Sequence, residues 1–92
     1  MKPTIHYVEF EADFEGRHWT VEVHYHSDWP ECSQYEVVFL QDDTKAVWIS
    51  SFPNGAGCGI SIGLRTFLEN TAKAILNKEP LPQGVTGAKI LA

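Results

Sequence analysis

The stretch Ile5–His26, IHYVEFEADFEGRHWTVEVHYH, decides the fold. From His6 to Phe14 one parity runs His6, Val8, Phe10, Ala12, Phe14, and the other runs Tyr7, Glu9, Glu11, Asp13. After Glu15-Gly16 the apolar parity resumes at Trp19, Val21, Val23, Tyr25, with His18, Thr20, Glu22, His24 and His26 opposite. Alternation with a period of two marks a half-buried strand, and two such strands around a two-residue glycine turn make a tight hairpin. The turn predicts the register: Ala12 against Trp19, Phe10 against Val21 and Val8 against Val23 on the core side. Asp13 then meets His18, Glu11 meets Thr20, Glu9 meets Glu22 and Tyr7 meets His24 on the other. Inner and outer sets match across the pair without adjustment, as a correct register requires. One pair is awkward: Glu9 opposite Glu22 sets like charges side by side, which is tolerable only in water or against a cation.

Working outward, YEVVFLQ (Tyr35–Gln41) and AVWIS (Ala46–Ser50) flank the turn DDTK and predict a second hairpin. Both runs are nearly all apolar, so parity does not choose their buried face. FPNGAGCG then breaks the strand pattern. Ile60, Leu64, Phe67, Leu68, Thr71 and Ile75 recur at helical spacing, with Arg65, Glu69, Asn70, Lys73 and Asn77 facing away. Pro80 and Pro82 end that helix. The tail VTGAKILA reads as either a short edge strand or a loose arm. The expected class is α+β, a four-stranded antiparallel meander sheet with one amphipathic C-terminal helix packed on it. As one domain over 1–92, it divides into a sheet over 4–51, a Gly-rich connection over 52–59, a helix over 60–78 and a tail over 79–92.

A chain of 92 residues has room for one modest core and not for a deep substrate cavity besides. The net charge of −5 hides a split. Residues 1–43 carry ten acids against Lys2 and Arg17, a balance of −8; residues 44–92 carry Glu69 and Glu79 against five cations, a balance of +3. An acidic body repels free DNA or RNA and suits a basic protein surface, or serves only for solubility. No long apolar run follows Lys2, so neither a leader nor a membrane span is expected, and the expected location is the cytoplasm. There, Cys32 and Cys58 are expected as free thiols, with pairing left open.

HYHSDWPEC (His24–Cys32) is the stretch where chemistry would sit. Zinc needs convergent ligands, and the familiar signatures pair them as CxxC or HxxxH. This chain offers one HxH, the separate Cys32 and Cys58, and His18, so exposed histidines are expected here and no metal or cofactor. A nucleophilic Cys-His pair needs a base and an orienting group beside the thiol, which nothing in the pattern supplies, so no catalytic residue and no enzyme is expected. GAGCG (Gly55–Gly59) enters the helix, where Gly57 and Gly59 amides either cradle an anion or simply turn the chain. In the loop Ser27–Gln34, Trp29 is flanked by Asp28 and Glu31 and stiffened by Pro30. It is either an interface anchor or a lid folded back on the sheet.

From IHYVEFEADFEGRHWTVEVHYHSDWPEC through FPNGAGCGISIGLRTFLENTAKAILNKE the chain resembles a phage anti-CRISPR protein of the type I-F inhibitor group. That resemblance implies a non-catalytic protein of the infected bacterial host's cytoplasm that binds the RNA-guided surveillance complex and blocks target-DNA recognition. Its Lys- and Arg-lined channels would receive Glu9, Glu11 and Glu22 from the sheet, with Asp28, Trp29, Glu31, Asp42 and Asp43 from loops. Arg65, Lys73, Gly57 and Gly59 would approach guide-RNA phosphates. The expected partners are thus the protein subunits of that complex and its guide RNA, with no free DNA and no membrane. The chain itself is expected as a monomer. A generic phage or bacterial protein-interaction module and a small metal-binding protein are the alternatives.

Overall fold

The computed structural model describes residues 5–44, 46–47 and 61–91. Strands β1 (Ile5–Phe14) and β2 (Arg17–His26) form the expected hairpin. Their pairing runs Val8–Val23, Phe10–Val21 and Ala12–Trp19 inside, and Tyr7–His24, Glu9–Glu22, Glu11–Thr20 and Asp13–His18 outside. The turn between them holds Glu15 at φ 54° and Gly16 at φ 76°. Positive φ at both central residues is the type I′ geometry whose twist matches the flanking strands.

Strand β3 (Tyr35–Asp42) pairs antiparallel with β2, and β4 (Ala46–Val47) pairs with β3. The remainder of the expected fourth strand, and the Gly55–Gly59 run with Cys58, lie outside the described residues. The face of β3 that parity could not choose is explained by a register shift. Glu22 pairs with Phe39 while Val23 pairs with Val37, so Val38 is an extra residue. A bulge of this kind switches parity within a strand. Val37 and Leu40, three apart, are therefore both fully buried on the helix side.

The helix, expected over 60–78, is α1 (Ile62–Leu76). Ser61 caps it, its Oγ accepting from the Leu64 backbone N–H at 3.0 Å. At the other end Lys78 takes φ 56°, the Glu79 N–H donates to the Ala74 carbonyl at 2.8 Å and the Lys78 N–H to the Ile75 carbonyl at 3.3 Å. That pair of bonds is a Schellman motif with lysine in the seat glycine usually takes. Leu64, Leu68, Ala72 and Ile75 pack against Val8, Phe10, Ala12, Trp19, Val21, Val23, Val37 and Leu40 to form the core. Each fully buried Val or Leu side chain among them stabilises the fold by roughly 1.5–3 kcal/mol relative to its exposed state.

The expected four-stranded sheet is corrected to five strands, ordered β4-β3-β2-β1-β5. The tail after the prolines is β5 (Val85–Ile90), antiparallel to β1. Backbone bonds from Asp13 N to Gly84 O (3.0 Å) and from Leu91 N to Tyr7 O (2.7 Å) clamp its two ends. Its alternation is broken by a bulge between the Glu9–Lys89 and Glu11–Thr86 pairs, where Gly87 takes φ 64°. The new strand also answers the Glu9–Glu22 conflict: Lys89 lies beside Glu9, Nζ to Oε2 3.4 Å. No helix among the described residues is long and apolar enough to cross a membrane.

Candidate functional site

With α1 on one face of the sheet, the outer parity of β1 and β2 lies on the other, where no described element covers it. Glu9, Glu11 and Asp13 on β1, Glu22 on β2 and Glu36 on β3 bring five carboxylates to this face, against Lys89 from β5. A shallow hollow of about 220 Å³ sits at its centre, with Glu9, Glu11, Glu22, Phe39 and Lys89 in its lining. Small-molecule sites usually enclose ~300–1,000 Å³, so this hollow suits a side chain of a docked partner better than a substrate.

The rim is internally braced. His18 bridges two neighbours, Nδ1 to Asp13 Oδ1 at 2.8 Å and Nε2 to Glu11 Oε1 at 2.9 Å. These hydrogen bonds, to Asp13 first and Glu11 second, raise the His18 pKa above its ordinary 6.5. Glu11 and Asp13 remain largely in water.

At the far end of the face the histidines depart from expectation: His24 and His26 are not exposed. Their side chains are 13% and 7% accessible. Tyr7, the cross-strand neighbour of His24, stacks on it with ring centroids 3.9 Å apart, and Trp29 stacks on His26 at 3.6 Å. His24 Nε2 donates to Glu22 Oε1 at 2.8 Å, and His26 Nε2 to Glu36 Oε1 at 3.3 Å. His24 Nδ1 faces the same Glu36 oxygen at 3.7 Å. His26 Nδ1 is buried with no hydrogen-bond partner among the described residues, a group whose burial costs about 1–3 kcal/mol. The missed signal was the aromatic pair: Tyr7 opposite His24 in the register, and Trp29 three residues past His26.

The other expected site residues separate. Asp28 and Glu31 are exposed beside the single 3-10 turn Glu31–Ser33, and Asp43 is exposed. Trp29 adopts the folded-back alternative, its ring face against His26. Asp42 is corrected from a loop contact to a buried anchor. The β3 bulge turns it inward opposite Trp19, and it accepts from Arg17 Nη1 at 3.0 Å and from Thr44 N and Oγ1 at 2.8 and 2.7 Å. Arg65 and Lys73 lie on α1, across the sheet from the acidic face. Lys73 is engaged by Glu69 at 3.2 Å and by the Tyr35 ring at 5.7 Å. Beneath it, burial, followed by Tyr25 and Glu69, pushes the Tyr35 phenol up to about 12. Gly57 and Gly59 lie outside the described residues, as does the Cys32 side chain.

No protein-family model, curated protein or solved structure matches the chain.

Proposed function

We propose that the chain is a non-catalytic inhibitor whose open sheet face docks on a cationic, nucleic-acid-binding surface. The partner implied by the sequence resemblance is the type I-F RNA-guided surveillance complex, met in the cytoplasm of an infected bacterium. The observation that carries the reading is the outer face itself: five carboxylates and one ammonium on three adjacent strands and an edge, surrounding a shallow hollow. Like-signed charges held on a rigid sheet compete for a Lys- and Arg-lined channel by electrostatic complementarity. Tyr7 and Phe39 add apolar contact area on the same face. Asp28, Glu31 and Asp43 extend the negative potential into the loops. Lys73 and Arg65 on the opposite layer supply the sign that guide-RNA phosphates would meet.

The test is co-elution of the purified chain with a type I-F surveillance complex, with target-DNA binding measured on the same fractions. Co-elution with lost DNA binding is the expected result. Reversal at Glu11→Lys with Asp13→Lys, both exposed and outside the core, should then weaken capture at least tenfold, and more at low salt than at high salt. Undiminished capture by that variant would sink the acidic-face docking mode. No co-elution of the wild-type chain would remove this partner and leave an acidic interaction module.

A further inference from the structure

We propose that His24, His26 and Glu36 form a binding site for one divalent transition-metal ion of the zinc type, with Glu22 orienting His24. One ligand atom from each of the three residues lies within 4.8 Å of the others. The two edges through Glu36 Oε1 measure 3.3 Å to His26 Nε2 and 3.7 Å to His24 Nδ1. A bound ion takes the place of the proton that His26 Nε2 otherwise donates to Glu36, and the neutral ring then carries its proton on Nδ1. Ligands about 2.0–2.2 Å from a tetrahedral ion stand roughly 3.3–3.6 Å apart, so those edges already have the required size. The third edge, between the two imidazoles, is no longer than 4.8 Å.

The arrangement follows from the strands. Residues two apart on β2 share a face, which brings the two imidazoles together. Glu36 arrives from β3 as the cross-strand partner of His24. The paired signatures looked for in the sequence are absent because the third ligand is supplied by register and not by spacing.

The hydrogen bonding around His24 points to a cation. Glu22 Oε1 takes the Nε2–H at 2.8 Å, and in the neutral ring this leaves Nδ1 as a lone pair. In that tautomer the lone pair faces the Glu36 carboxylate, acceptor against acceptor, a contact that either a proton or a bound cation between them relieves. A carboxylate that receives the second ring nitrogen of a histidine is the usual outer support of a metal ligand. Tyr7 and Trp29 shield the imidazoles on their outer faces and hold their planes. Nitrogen and oxygen donors of this kind suit zinc and its first-row neighbours rather than calcium or magnesium. Three protein ligands leave a fourth position for water or for a side chain of a docked partner.

The experiment uses the full chain, freed of metal by chelation, with zinc alone as the probe and cobalt as its spectroscopic substitute. The expected result is one zinc per chain by calorimetry, with the ring resonances of His24 and His26 shifting in the titration while those of His6 and His18 stay. This needs no variant and is independent of folding changes. Glu36→Gln should weaken zinc at least tenfold, and Glu22→Gln by ~10–100-fold. His18→Gln should leave it unchanged. Absence of zinc binding at millimolar concentration would overturn the proposal. So would binding that perturbs all four histidines alike, or that survives Glu36→Gln undiminished, since either marks adventitious surface metal. None of these readouts depends on the surveillance complex, so the docking proposal stands or falls separately.

Discussion

Lys78 occupies the left-handed position of the Schellman motif at the end of α1, with φ 56°. A side chain there brings Cβ close to the following carbonyl, at a cost of about 1–2 kcal/mol that glycine does not bear. The lysine also contributes a favourable charge near the helix C-terminus, about 0.3–1 kcal/mol where exposed. Two variants separate these effects. Lys78→Ala removes the charge and keeps the strained Cβ; Lys78→Gly removes both. Both hydrogen bonds of the motif are made by backbone atoms, so neither substitution deletes them. Glycine should therefore exceed alanine by about 1 kcal/mol, reduced somewhat by glycine's freedom in the unfolded chain. For a 92-residue chain that difference corresponds to roughly 5 °C in Tm. Urea unfolding followed by circular dichroism measures it directly, with the slope unchanged. A glycine variant no more stable than the alanine variant would refute a left-handed residue at this position and the motif built on it.

Three further outcomes are expected. Leu68, fully buried between helix and sheet, should cost about 2–5 kcal/mol when cut to alanine, read by denaturant midpoint; a loss under 1 kcal/mol would mean that α1 does not pack on this sheet face. Arg17→Ala removes the 3.0 Å ion pair to the buried Asp42 carboxylate and should cost about 1–3 kcal/mol, less than a fully buried pair because the arginine is half in water. A neutral result by thermal melting would show that the ion pair does not hold Asp42 in place. Hydrogen bonds to Asp13 and Glu11 raise the folded pKa of His18 above 6.5. Its contribution to stability is fully present below that value and is lost as pH rises through the folded pKa. Chemical denaturation across that range should show a slope that His18→Gln flattens, and an NMR titration of the ring at or below 6.5 would contradict the bridge.

How much was legible in the sequence depends on how strictly each segment alternates. β1 and β2 alternate without interruption around a two-residue turn, so both their faces and their register could be read residue by residue. β3 could not be, because Val38 shifts the parity inside the strand and carries Asp42 from the expected surface into the interior. β5 was obscured by the same device, since Gly87 interrupts its alternation and the prolines before it read as an ending. The repulsion between Glu9 and Glu22 was nonetheless a readable demand for a neighbouring cation, and Lys89 meets it. Four of the five carboxylates of the acidic face, Glu9, Glu11, Asp13 and Glu22, followed from the hairpin alone. The histidine cluster did not, because Glu36 joins it only through the β2–β3 pairing, and because stacking by Tyr7 and Trp29 buries side chains that a polar parity places in water.

The Gly87 bulge has a consequence for association. β5 forms one margin of the sheet, and an uninterrupted margin of free amides and carbonyls is a template on which another chain can add a strand. Here the margin is only Val85–Ile90 long, Pro82 precedes it, the bulge bends it midway, and Lys89 stands on it with a charge that a second copy would meet. A straight partner strand cannot keep step with a line that changes register after two or three residues. The irregularity that left the tail undecided between edge strand and loose arm is thus also what guards this border against polymerisation.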